Sequence, residues 1–380
     1  MTRFVKRALA LACLTACAGP ETSHRRTLAD FYASGEYAAA AERVRSARAD
    51  YGASNEVLYR LELGLALIDA AQDENADPEL ARAQDRMEEL WTLSVSQRAG
   101  AALANENVDD YRGEDFERAL SHTFRALAFA RRGMTDSALV EARRVEAFLD
   151  TQTRAIPRQR TYRDDAFARW LAARLYEDAG KEDDARISDA AAARAYEEWA
   201  TTYPGRAPGP SSGKGPSELA VIVLEGPSPR KERVAGGGPL GILLQTSYPA
   251  YVLAPARTAR VEITAGDSSA PAEVVSDLAA IMAKDLEERL LALKTRSMVR
   301  AAGKLALTAV GVDARDSEFA DVRHWSNLPA RIRTARLRVP SGPLRATVRC
   351  LDASGHEVRS VSLEAAPSEG GRAWRVARCP

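Results

Sequence analysis

The chain has 380 residues, 46% of them hydrophobic, with 53 basic against 53 acidic side chains. That length is long for a single core and suits two domains, and the even charge balance names no partner. The four histidines, His24, His122, His324 and His356, stand in no HExxH or CxxC context, so a histidine-built metal site is unsupported and no cofactor is expected.

The first 16 residues have a basic opening (Arg3, Lys6, Arg7), an apolar run from Ala8 to Leu14, and small residues before a cysteine. This is the plan of an export signal, too short to span a bilayer as a helix. Leu14-Thr15-Ala16-Cys17 resembles the lipobox of bacterial lipoproteins; an ordinary cleaved secretory signal is the alternative. By that resemblance residues 1–16 are removed, Cys17 is acylated, residues 17–25 form a tether, and Ala18 directs the protein to the outer membrane, facing the periplasm. Removal of residues 1–16 leaves 50 basic and 53 acidic side chains, a net of about −3. An exported chain of this kind disfavours nucleic acid as a partner. Besides the anchor two cysteines then remain, Cys350 and Cys379, and an oxidising compartment favours a disulfide between them over two buried free thiols.

Residues 26–202 read as helices in pairs. The central pair spans Val108 to Asp150, with its first helix starting near Glu114, an apolar stripe through Phe116, Leu120, Phe124 and Leu127, and Gly133 as a left-handed stop. Ala138, Ala142, Val145 and Leu149 form one face of its second helix. Gly35, Gly133 and Gly180 are each followed five residues on by alanine (Ala40, Ala138, Ala185) and seven further by Ala47, Val145 and Ala192. These turns resemble those of a tetratricopeptide repeat, in a degenerate array because the glycines lie 98 and 47 residues apart rather than at multiples of 34. An Ala-rich bundle without true repeats is the alternative. Asp73 to Pro78 reads as an insert within a pair at Val57 to Leu93, and Trp170, Tyr176 and Trp199 of the last pair read as packing.

Residues 203–216, YPGRAPGPSSGKGP, read as a linker. Their Gly209 to Gly215 is no phosphate loop, having three residues between the glycines where four are needed. Residues 217–380 change period. Strands are expected at Glu218 to Glu225, Leu240 to Thr246, Arg260 to Thr264, Arg333 to Val339, Leu344 to Leu351, Glu357 to Leu363 and Ala373 to Cys379, with one long helix over Pro271 to Leu305. The fold class is therefore α+β: a helical tetratricopeptide-like array, then a domain with one long helix and a mainly antiparallel sheet.

The phrases YRGEDFERALSHTFRALAFARRGMTDSALVEARRVEAFLD, VIVLEGPSPRKE, VVSDLAAIMAKDLEERLLALKTRSMVRAAGK and ADVRHWSNLPARIRTARLRVPSG together resemble a family of bacterial lipoproteins with tetratricopeptide-like amino-terminal halves. The resemblance covers most of the chain after residue 16, and it implies no catalytic or binding residue. No GxSxG elbow is present, and His324-Trp325 with Asp321 and Arg323 reads as structural packing ahead of catalysis. Between Arg118 and Arg174 twelve arginines face six acids. Arginine grips carboxylate or phosphate with two parallel bonds, so Arg125, Arg132, Arg143, Arg144 and Arg163 are candidates for a partner-binding face for an acidic peptide, a glycan or a lipid headgroup; a solvated face with local ion pairs is the alternative. The sequence as a whole suggests a non-catalytic envelope adaptor with a protein partner and a membrane contact through its lipid. The alternative is a cell-envelope hydrolase or glycan-processing enzyme with its site in the second half.

Overall fold

The computed structural model describes residues 20–97, 110–155, 161–235, 247–309 and 320–380. Its amino-terminal half is a series of helical pairs: α1 (Pro20–Ser34) with α2 (Tyr37–Ser46) and a short α3 (Arg48–Tyr51), α4 (Glu56–Asp69) with α5 (Asp73–Gln97), α6 (Asp115–Arg131) with α7 (Thr135–Ala155), and α8 (Ala166–Asp178) with α9 (Glu182–Trp199). Helix α1 begins inside the stretch expected to be a tether, and His24 on it is buried against Tyr51. Cys17 and the strand expected at Leu240 to Thr246 lie outside the described residues.

One turn recurs four times. Gly35, Gly133 and Gly180 have φ of 85°, 71° and 68°, and the fourth member is Ala71 at 57°. In each, the next residue's N–H reaches back five residues to the end of the preceding helix: Glu36 to Phe31, Gln72 to Leu67, Met134 to Phe129 and Lys181 to Tyr176, at 2.8 to 3.0 Å. This is the Schellman closure. The carbonyl of that same residue then accepts the N–H of Ala40, Ala76, Ala138 or Ala185, the first bond of the following helix. Those four alanines are buried, and so are Ala47, Ala83, Val145 and Ala192 seven positions later. The insert expected at Asp73 to Pro78 is thus corrected: these residues open α5, and Ala71 occupies the left-handed position that glycine holds in the other turns. Within this pair Gly64 lets the helices close up, since a Cβ there would meet Leu80 Cδ2 at 2.6 Å.

The other half is a sandwich of two sheets. A five-stranded mixed sheet has the order β1 (Ser212–Gly213), β8 (Pro329–Val339), β2 (Ser217–Pro227), β11 (Arg372–Cys379), with β7 (Glu273–Asp277) also on β8. Strand β8 runs antiparallel to β2 and β7, whereas β11 is parallel to β2 and β1 is parallel to β8. A four-stranded antiparallel sheet has the order β10 (Glu357–Ala365), β9 (Leu344–Leu351), β5 (Arg260–Ala265), β6 (Ser268–Pro271). A hairpin of β3 (Arg230–Ala235) and β4 (Ser247–Val252) stands beside them with the long helix α10 (Leu278–Ala309). Cys350 on β9 and Cys379 on β11 form a disulfide, Cα to Cα 5.8 Å, that ties one sheet to the other.

Strand β2 explains how the halves join. Leu219, Val221 and Val223 face the second sheet, while Ala220, Ile222 and Leu224 join one core with the helices. A strand buried on both faces must read as an uninterrupted apolar run, as LAVIVL does. Leu337 and Val339 face the inter-sheet core, with Arg338 exposed. The stretch expected as a linker runs along the sheet as a largely exposed strap: Tyr203 is buried, Arg206 N–H donates to Val274 O at 3.1 Å, and β1 adds an edge to β8. A Cβ on Gly205 would come within 3.1 Å of Val275 O, so the backbone lies flush on β7.

Candidate functional site

The first helices of three pairs, α4, α6 and α8, turn their inner faces to β2, β8 and β11, and carboxylates on or just before them hold the other half of the chain. Glu62 accepts from Ser326 N–H at 3.1 Å and Ser326 Oγ at 2.6 Å, and its backbone carbonyl accepts from Asn327 Nδ2. Glu117 accepts from Trp325 N–H at 2.7 Å, from Tyr111 Oη at 2.5 Å and from Glu114 N–H at 3.0 Å. Asp69 pairs with Arg378 at 2.7 Å, Asp178 with Arg372 and with Trp374 Nε1, and Glu114 with Lys231 at 3.0 Å and Arg289 at 2.7 Å. Trp325 is fully buried with its ring edge-on to Phe124. The segment 320–328 and strand β11 therefore fill the inner face of the array as a ligand would.

Burial dominates the titration of this joint. Glu117 is pushed up to about 7 by burial and by the neighbouring Glu114, against the three donors that favour its charge. Asp178 is raised to about 6 by burial, with Arg372 and Trp374 opposing, and Asp165, the N-cap of α8, is raised to about 6 for the same reason. At Glu114 burial also disfavours the charge, but Arg289 and Lys231 outweigh it and hold the carboxyl well below its usual range. His324, buried with Nδ1 3.1 Å from Val322 O, is lowered to about 3 chiefly by desolvation.

The arginines singled out in the sequence do not share one surface. Arg125 is largely buried and committed to Asp77 at 2.7 Å, Glu141 at 2.8 Å and Gln84. Arg163 is half-buried and donates to Thr153 O. Arg132, Arg143 and Arg144 are exposed at the turn and along α7, beside the exposed side chains of Met134 and Val140, and Arg144 reaches Glu141 at 2.9 Å. His122 rests on Glu141 at 2.7 Å, and Asp321 and Arg323 pair with each other at 2.7 Å. What the sequence reading missed is the inner row. Its signal was an acid inside an apolar stripe, Glu62 between Leu61 and Leu63 and Glu117 directly after Phe116.

A cavity of about 420 Å³ opens where the strap meets β5, β7 and β8, lined by Arg206, Arg260, Arg333 and Glu273. Arg333 is fixed by Glu225 and two backbone carbonyls, and Glu273 pairs with Arg206. The cavity's charged lining is three arginines and one carboxylate, and Arg260 also pairs with Glu262 at 3.1 Å. Among the described residues no group of three His, Cys, Asp or Glu could hold a metal ion.

No family model matches the chain, and no curated protein matches it. Among solved structures it is similar to a kinesin light chain-type protein of Podosopora anserina with nearly identical TPR-like repeats, at 16% identity over 47% of this chain and 95% of that one, TM-score 0.25. It is also similar to MamA, at 15% identity over 49% of this chain and 97% of that one, TM-score 0.22. At such scores the repeat character rests on the four turns themselves.

Proposed function

We propose that the protein is a non-catalytic adaptor of the bacterial cell envelope, held at the outer membrane by acyl chains on Cys17 and facing the periplasm, with the outward faces of its second helices as the surface offered to a protein partner. The observation that carries this reading is the filled inner face. Helical repeat arrays bind on the surface their stacked helices line, and here the chain's own sheet and the 320–328 segment occupy it. What stays open is the outer row, where Arg132, Arg143 and Arg144 stand with Met134 and Val140. Exposed arginine and methionine are the residue types that interfaces enrich.

The test is in-cell crosslinking of the lipidated protein with partners identified by mass spectrometry, beside an Arg143→Glu/Arg144→Glu variant. One envelope protein recovered by the parent and lost by a variant with unchanged circular dichroism supports the reading. Equal recovery by both moves the contact elsewhere, and no recovery at all removes the adaptor. Cys17→Ser should release the exported protein from membranes washed at high salt, and retention of the unacylated chain there would show that lipid is not the tether.

A further inference from the structure

We propose that the distal half of α10 and the β3–β4 hairpin form an arm that lies on a bilayer surface rich in anionic lipid headgroups, a second membrane contact distinct from acylation at Cys17. It rests on the envelope reading only for there being a membrane within reach.

Helix α10 enters the body with Leu278, Ile281, Met282 and Leu286 buried. Past Leu286 that burial ends: Leu290 and Leu293 are half-buried, and Leu291 is 78% exposed. The helix continues to Ala309, about 35 Å further at 1.5 Å per residue. The hairpin runs with it. Its base is fixed by Lys231 on Glu114 and by Tyr251 against His324, and the Lys294 ammonium sits 4.3 Å over the Tyr248 ring.

Two independent properties of the arm point to a lipid surface. The first is apolar exposure. Val234, Val252, Leu253 (60% exposed) and Leu291 all belong to the hairpin, its immediate continuation or the helix, whereas the other exposed large hydrophobics among the described residues stand on the array. The second is charge. From residue 289 to 309 the sequence has five basic residues and no acid; Arg289, the first of them, is tied into the body by Glu114 and Asp285. In the sequence of this helix, apolar positions 291, 298, 302 and 305 recur at steps of seven, four and three, while basic positions 296, 300 and 304 recur at steps of four. That pairing of periods describes a helix lying in a membrane interface. Charge of one sign over five turns matches an extended anionic surface better than the mixed rim of a protein interface. No described helix is long and apolar enough to cross a membrane.

The test is vesicle co-sedimentation of the chain from residue 17 onward with Cys17→Ser, which carries no acyl chain and keeps every described residue. The probes are vesicles of phosphatidylglycerol with phosphatidylethanolamine, and of phosphatidylcholine alone. Binding is expected on the anionic vesicles, weakened by 0.5 M salt, reduced roughly 30-fold by Arg300→Gln/Lys304→Gln, and reduced again by Leu291→Ser/Leu253→Ser, whose solvent-facing positions leave the fold intact. Equal binding to both vesicle types, no binding, or binding indifferent to both variants overturns the arm. So does loss of an in-cell protein crosslink by Leu291→Ser while vesicle binding persists, because the arm would then serve a protein. None of these outcomes depends on acylation, which membrane fractionation of Cys17→Ser reads separately.

Discussion

The two rows of helices in the array use charge in opposite ways. On the inner row the side chains of Glu62, Asp69 and Glu117 are buried, and these and the more open Asp178 each hold a group from the sheet half more than 190 residues away in sequence. Along the outer row there are ion pairs that are short-range and solvated, such as Arg86 with Glu89 and Arg186 with Asp183, each three residues apart. The same residue types thus build a joint on one side and a wettable face on the other. Burial makes the difference, because an ion or amide with no water must find a protein partner.

Substitutions can break this contrast at several strengths. Trp325→Ala should be the most damaging, at roughly 3 to 5 kcal/mol for emptying a fully buried aromatic site, with helices and sheets unfolding in one urea transition followed by circular dichroism and fluorescence. Two separated transitions would mean that the joint is not shared. The pH dependence comes next. Glu117, Asp165 and Asp178 have folded pKa values above their ordinary ones, so the native state holds extra protons and stability falls as pH rises from about 4.5 to 7. Glu117 alone accounts for at most about 3 kcal/mol of that fall, and urea midpoints across this window should lose that part of the slope in Glu117→Gln. An unchanged slope would take the titration away from the joint. Ala71→Gly should stabilise by about 1 kcal/mol by relieving an L-residue in the left-handed region, read as a rise in melting temperature. A fall would mean that the alanine methyl contributes packing. Smallest of all, Arg144→Ala should change stability by less than about 0.5 kcal/mol, and a larger loss would place the outer row in the fold rather than on a free face.

Three of the four turns were legible because glycine announces a positive φ. The fourth was not, because alanine carries no such signal, and the repeat was taken for an insert. Strands β2, β5, β8, β9, β10 and β11 were visible in apolar runs or alternation, whereas β3, RKERVA, has almost no apolar pattern and β1 is two residues long. The attachment of the 203–216 strap to the sheet was not visible for a related reason. Its attachment is through backbone groups such as Arg206 N–H to Val274 O, and its Pro and Gly content says nothing about them. Six strands of the sandwich and the helical pairs could be listed from the sequence, but that they share one core could not. The inner carboxylates were individually conspicuous, yet their partners lie hundreds of residues away.

The pairing of Asp69 with Arg378 spans 309 residues, and strand β11 supplies Trp374 to the helical core and Ala373, Ala377 and Cys379 to the core between the sheets. Ordinary repeat arrays fold quickly because each unit closes on its neighbour. Here the early helices wait. Their inner surface is completed only by residues as late as 378, so closing it requires contacts of high sequence separation, the kind that slows folding.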